Sequence, residues 1–170
     1  MHPGRDAARP PAHAVVEQHN VMIPMRDQLR LAADAYFPAD TASGERRPAP
    51  APVILLRTPY NKAASAEHGR FFAAHGFIYV AQDVRGCWES EGTFFPFADE
   101  APDGFDTIAW IAAQPWCNGQ VGTMGCSYCA AVQSAAACLA PPPLATMIVQ
   151  CGPSSFFDSS MRHNGALELR

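Results

Sequence analysis

Nine consecutive residues, Thr123 to Ala131 (TMGCSYCAA), offer two different chemistries. Cys126 and Cys129 stand as C-x-x-C, the spacing of a dithiol redox centre or of half a zinc site. The same stretch sets Ser127 two residues after Gly125, the G-x-S order that introduces a serine nucleophile. A serine hydroxyl does chemistry only under three conditions. The backbone must lift it clear of the sheet, a base must take its proton, and donors must meet the charge that forms on the attacked acyl group. The elements around Ser127 therefore decide between sulfur and oxygen.

Those elements read in order along the chain. AVVEQHNVMIP and LRLAADAYFPA, separated by the turn MRDQ, carry β-type apolar spacing and predict an antiparallel hairpin. VILLR (Val53 to Arg57) and FIYVAQD, ending at Asp83, are short apolar runs expected of strands buried on both faces. Between them, Ser65 to His75 favours helix, with Gly76 as its C-terminal cap. VRGCWESEGTFFPF is loop-like. A helix is expected from near Pro102, with Phe105, Ile108, Ala109 and Ala112 on one face. Asn118-Gly119 predicts a turn, QVGTMG a strand, CAAVQSAAACLA a helix broken by PPP, and ATMIVQCG another buried strand. Strands alternating with helices imply a parallel, doubly wound α/β sheet.

Ser127 then falls at the bend between a strand and the helix behind it. Open α/β folds place their sites at that edge of the sheet. The bend aims the Tyr128 backbone N–H and the positive end of the helix at one point, where an oxyanion would sit. Small neighbours are needed at so tight a turn, and Gly125, Cys129 and Ala130 supply them, although the usual motif has Gly where Cys129 stands. The dithiol reading lacks a second C-x-x-C or a histidine cluster, and a thioredoxin-like motif would lie nearer the start of its domain. Cys126, the residue before the bend, is expected to point towards the sheet. The pattern favours oxygen.

Composition narrows the rest. A chain of 170 residues fits one domain with a substantial core, and 48% hydrophobic with 16% charged residues is globular. With a net charge of −4 and scattered Lys and Arg, neither nucleic acid nor an anionic membrane is an expected partner. The N-terminal stretch has no apolar core of a signal peptide, and no segment reaches membrane-span length, so a cytoplasmic location is expected. Cys87, Cys117, Cys138 and Cys151 sit singly among apolar residues, as reduced thiols do in that compartment.

Beyond the serine, five stretches occur in a telling order: VMIPMRDQLRLAADAYFP, PVILLRTPYNK, FIYVAQDVRGCWESEGTFFPF, DEAPDGFDTIAWIAAQPWCNGQVGTMGCSY and NGALEL. Within them lie R-x-P-Y, D-x-R-G followed by S-E-G, Q-P-W-x-N-G and G-x-S-Y. Together they resemble the N-terminal part of the cocaine esterase and X-prolyl dipeptidyl peptidase family of α/β-hydrolases, from about Asn20 to Arg170. The resemblance implies an α/β-hydrolase fold: a mostly parallel sheet with an N-terminal antiparallel hairpin, incomplete at the C-terminus. The Pro-, Ala- and His-rich start reads as a mobile tail (1–14), and the resemblance makes 15–160 the N-terminal part of the hydrolase domain and 161–170 the start of a helical cap.

The resemblance also assigns roles. Ser127 becomes the nucleophile that carries the acyl group, Tyr128 one oxyanion donor through its N–H, and Tyr60 the second through its phenol. On its own, Tyr60 reads as a strand-end aromatic fixed by Pro59. Asp83, Arg85, Ser90 and Glu91 become a hydrogen-bonded support, Trp110 and Trp116 packing residues, and His68 and His75 surface residues. Asp99, Glu100, Asp103 and Asp106 read as carboxylates at the start of an exposed helix. No metal or organic cofactor is implied. The substrates implied are small esters, amides or short peptides, with ester favoured because no acidic anchor for a free amine is identifiable. Self-association stays open.

Two departures stand out. Ala130 occupies a position where the family commonly has Gly, which a methyl group is expected to tolerate. The family's triad acid and base lie far downstream, past the cap, whereas this sequence stops at Arg170. Asp158 and His163 have the right order to serve, but five residues of one segment can hardly form the Asp–His–Ser line. The chain is therefore expected to be part of a longer hydrolase. The rival from another class is a non-catalytic α/β module that binds a ligand or partner, and a C-x-x-C redox protein with a Cys126–Cys129 disulfide is a third reading. Without a base, an enzyme loses several orders of magnitude in rate. Lacking also the strands that would cover one edge of its core, the 170 residues alone are expected to be poorly soluble and to turn over an activated ester at a trace rate in a steady-state assay; efficient turnover contradicts this.

Overall fold

The computed structural model describes residues 10–152, 162–163 and 166–167. Six strands form one sheet in the order β1-β2-β4-β3-β5-β6. They are β1 (Ala14–Pro24), β2 (Arg30–Ala39), β3 (Ala51–Thr58), β4 (Ile78–Asp83), β5 (Cys117–Cys126) and β6 (Leu144–Gln150). The β1–β2 hairpin is antiparallel and joins antiparallel to β4, while β4, β3, β5 and β6 run parallel. Helices α1 (Ala66–Ala74), α2 (Glu100–Ala112) and α3 (Tyr128–Ala137) fill the crossovers. All four parallel strands thus end at the same edge of the sheet.

Alternation along the strands explains why both faces are covered. In β3, Val53 and Leu55 join Leu31, Val80, Val121 and the α2 residues Ile108 and Ile111 in the larger core. Ile54 and Leu56 point the other way, towards Tyr36, Tyr79, Ala81 and the α1 residues Phe72 and Ala73. β4 is buried along its whole length, as a central parallel strand requires. Trp110 and Trp116 pack edge to face with ring centres 6.3 Å apart, and Trp116 meets Phe37 at 5.5 Å.

Two local expectations change, and one short element is added. Asn118-Gly119 lies inside β5, where Val53 pairs with Val121 although Ala51 pairs with Cys117; the pair forms a bulge within the strand, with Gly119 at φ +87°. A 3-10 turn, Lys62–Ser65, precedes α1 and is held by the Asn61 side chain accepting from the Ala63 N–H. β6, expected to be buried, is open to solvent: Met147, Ile148 and Val149 are 39%, 52% and 43% exposed. Its apolar composition suits a covered strand, but among the described residues β6 has a strand neighbour on one side alone, β5.

At the two ends, Ala12 and His13 donate their N–H groups to the Ala74 carbonyl at 2.9 and 3.2 Å. Beyond Gly152, residues 162–163 and 166–167 pair as two short antiparallel strands. The rest of the expected cap region lies outside the described residues, as does the first part of the expected tail. No helix among the described residues is long and apolar enough to cross a membrane.

The α1 helix approaches the sheet closely through Gly69, where an added Cβ would overlap the fully buried ring of Tyr36. Tyr36 is fenced by Tyr79 and His19 and has no room to yield. Gly69→Ala should therefore lower the urea unfolding midpoint. Overpacking of about 1–3 kcal/mol outweighs the helix-propensity gain of up to about 1 kcal/mol.

Candidate active site

Ser127 sits between the last residue of β5 and the first of α3, with φ 57° and ψ −118°. A non-glycine residue at such a φ is held there by its surroundings. Its N–H donates to the Gln150 carbonyl at 3.0 Å, and its carbonyl accepts from Ala130 and Ala131 at 3.0 and 3.1 Å. The bend is thus fastened to β6 on one side and to the helix on the other. Serine is a favoured N-cap because its hydroxyl can accept a helix N–H, yet here the side chain makes no cap hydrogen bond. The exposed hydroxyl is left for other partners.

Small neighbours make the bend feasible. A Cβ on Gly125 would lie 2.5 Å from the Cys129 Cβ and 2.6 Å from its carbonyl oxygen, so with Cys129 in place only Gly fits there. Ala130 is fully buried, and a Cβ on Gly152 would stand 2.8 Å from its methyl group. The extra methyl at position 130 occupies room that Gly152 leaves.

The two cysteines of the C-x-x-C stretch have opposite surroundings. Cys126 is exposed rather than turned into the sheet as expected, because the bend faces it outward. Cys129 is 6% exposed, and burial pushes its thiol pKa up, which keeps it an unreactive thiol.

Tyr128 points its side chain away from the bend. Its phenol donates to Glu100 Oε1 at 2.8 Å, accepts the Phe97 N–H at 3.1 Å, and its ring stacks on Phe97 at 4.4 Å. Its backbone N–H, as the first of α3, has no acceptor within the helix. Tyr60 follows β3 by two residues at the end of the neighbouring parallel strand, with its side chain 60% exposed. Its N–H donates to Thr58 Oγ1 at 3.0 Å. Ser127, Tyr128 and Tyr60 therefore gather at the C-terminal edge of β3 and β5. Asp158 lies outside the described residues, and of His163 only its backbone pairing with Ala166 is described. His68 lies on α1 and His75 caps its end.

Beneath this edge lies a network that the sequence reading missed. Arg57, near the end of the apolar strand β3, is 4% exposed. Its guanidinium donates to Gln82 Oε1 at 2.8 Å and to the Glu100 carbonyl at 2.9 Å, and lies 3.0 Å from the Glu100 carboxylate. Glu100 and Asp103 are 5% and 1% exposed, so they are not decorations of an exposed helix but buried counter-charges. A signal was present: a charge within VILLR needs a buried partner, and the acidic cluster of DEAPDGFD could supply one.

The four residues expected to form a support do so through separate contacts. Arg85 grips Asp103 through two hydrogen bonds of 2.9 and 2.6 Å and Asp27 through one of 2.6 Å, which raises its own pKa further. Ser90 donates to the Asp83 carbonyl and accepts the Ala32 N–H. Glu91 pairs with Arg30 at 2.6 Å. Asp83 accepts both the backbone N–H and the ammonium of Lys62, at 2.7 and 3.2 Å. Burial works against the Lys62 charge, but Glu89 and Asp83 outweigh it and raise its pKa.

The strand order, the crossover helices and the strained serine bend after β5 define an α/β-hydrolase. Comparisons with known proteins agree. The family model for X-Pro dipeptidyl-peptidase (S15 family) matches residues 27–170, and the chain belongs to that family. It is 43% identical to a cocaine esterase from Rhodococcus sp. (strain MB1 Bresler), over 69% of this chain and 20% of that protein. The solved structure of an α-amino acid ester hydrolase superposes with a TM-score of 0.70 at 25% identity, covering 90% of this chain and 29% of the other. A CocE/NonD family hydrolase from Staphylococcus aureus gives 0.73 at 25% identity, covering 84% and 28%. The chain spans about a fifth of the length of the curated relatives it matches.

The buried phenols give the protein an alkaline limit. Burial raises the pKa of Tyr36 and Tyr128 above the ordinary value and that of Tyr79 to about 12. Unfolded tyrosines ionise near pH ~10. Between pH about 10 and 12 the unfolded chain has lost protons that the folded chain keeps, so stability falls as pH rises through that window. Lys62, raised from 10.5, acts in the same sense at higher pH. The urea midpoint should decline from about pH 10 upwards, and Tyr79→Phe should flatten that decline; a profile unchanged by the substitution contradicts this account.

Proposed function

We propose that the chain carries the nucleophile and oxyanion donors of a serine hydrolase that cleaves small esters, amides or short peptides through an acyl-enzyme on Ser127. The observation that carries this reading is the strained, exposed Ser127 at an N-cap position whose hydroxyl does no capping. Attack by that oxygen on an acyl carbon places negative charge on the carbonyl oxygen. The Tyr128 N–H, free of helix partners, and the positive end of α3 favour that charge. The Tyr60 phenol, exposed at the neighbouring strand end, is the second donor. The Tyr128 phenol is occupied by Glu100, so Tyr128 serves through its backbone.

An ester is the favoured substrate class, supported by the names of the relatives, which are esterases and an ester hydrolase. Six free thiols fit a reducing, cytoplasmic setting. The acid and base that complete the catalytic cycle are not assigned to any described residue.

Covalent capture tests this reading directly, since it depends on the nucleophile and donors. A fluorophosphonate should label Ser127 alone, and Ser127→Ala should abolish labelling. Tyr60→Phe should slow labelling by about 100-fold, the usual cost of one oxyanion donor. Labelling that survives Ser127→Ala overturns the assignment, and a rate unchanged by Tyr60→Phe removes Tyr60 from it.

A further inference from the structure

Three of the six cysteines are exposed: Cys126, Cys138 and Cys151. Two of these meet. Cys126 is the last residue of β5 and Cys151 the first after β6, and Cys126 lies opposite Gln150 in the parallel ladder. The hydrogen bond from the Ser127 N–H to the Gln150 carbonyl holds the two strand ends together at 3.0 Å. Cys151 directly follows Gln150 and turns out of the strand at φ +50°, and its thiol lies close enough to Cys126 to raise the Cys126 pKa. Neighbouring strands lie about 4.8 Å apart and successive residues advance about 3.3 Å, so the diagonal pair Cys126 and Cys151 has a Cα separation of about 6 Å, within the roughly 4.4–6.8 Å that a disulfide spans. Cys129, the partner suggested by C-x-x-C spacing, is buried instead.

We propose that Cys126 and Cys151 form a reversible disulfide, a redox modification site beside the Ser127 bend that is closed by a low-molecular-weight disulfide such as oxidised glutathione. One cysteine thiolate attacks a sulfur of oxidised glutathione, forming a mixed disulfide and releasing the first glutathione thiol. The second cysteine, after losing its proton, attacks the protein sulfur of that mixed disulfide and releases the second glutathione. The protein loses two protons and two electrons, and oxidised glutathione takes both as it becomes two thiols. The bridge encloses residues 126–151, all of α3 among them, and so ties the segment that carries Ser127 at both of its ends.

The test is thiol mapping of the chain after incubation with oxidised glutathione, with free thiols blocked by N-ethylmaleimide before digestion. The expected product is a linked pair of peptides containing Cys126 and Cys151, lost on treatment with dithiothreitol. Cys126→Ser and Cys151→Ser should each lose the link and retain one glutathione on the surviving thiol. Cys138→Ser should leave the link intact. Glutathione on both cysteines with no linked peptide, or a link from Cys126 to Cys129, overturns the proposal. Neither result bears on Ser127 as nucleophile, which the phosphonate capture tests separately.

Discussion

A guanidinium buried in the central sheet organises much of this structure. Leaving the Arg57 charge unpaired at 4% exposure would cost several kcal/mol, so its surroundings must supply acceptors. Gln82 on β4 and the carbonyl and carboxylate of Glu100 at the start of α2 do so. Gln82 is itself fixed by Thr107, whose hydroxyl donates to the same oxygen at 3.0 Å. Glu100 then holds the Tyr128 phenol and with it the first turn of α3. One charge in β3 thereby sets where two helices begin, and the second of those beginnings is the bend at Ser127.

The loop after β4 extends the same logic to the hairpin. Arg85 joins α2, through Asp103, to the β1–β2 turn, through Asp27. Ser90 and Glu91 reach back to β2 through Ala32 and Arg30, and Lys62 closes the set by bridging Asp83 and Glu89. A loop without regular secondary structure is made definite by ion pairs and hydrogen bonds because apolar contact alone would not fix it. Exposed pairs such as Arg30–Glu91 add little stability each; their effect here is on which surfaces meet.

Most of the fold was legible because buried parallel strands announce themselves as short apolar runs and because proline and glycine punctuate the crossovers. Ser127 was legible from its place between such a run and a helix. What escaped notice shares one cause: it depends on neighbours distant in sequence. The apolar residues of β6 read as burial, yet burial is decided by what lies alongside. Glu100 and Asp103 read as solvated helix-start charges until Arg57 arrives from β3 and Arg85 from the loop after β4. Cys126 and Cys129 draw the eye by spacing, whereas strand pairing sets Cys126 opposite Gln150 and so beside Cys151, twenty-five residues on.

The close fit between Ala130 and Gly152 has a consequence for how this bend can vary. The room for a single carbon is shared by two positions, one on α3 and one following β6. A methyl at 130 excludes a methyl at 152, which would also stand 3.0 Å from Val149 Cγ1. Substitutions at the two sites are therefore epistatic: a side chain at 152 requires position 130 to become Gly first and Val149 to give way as well. Behind the serine, the order of changes is constrained as firmly as their chemistry.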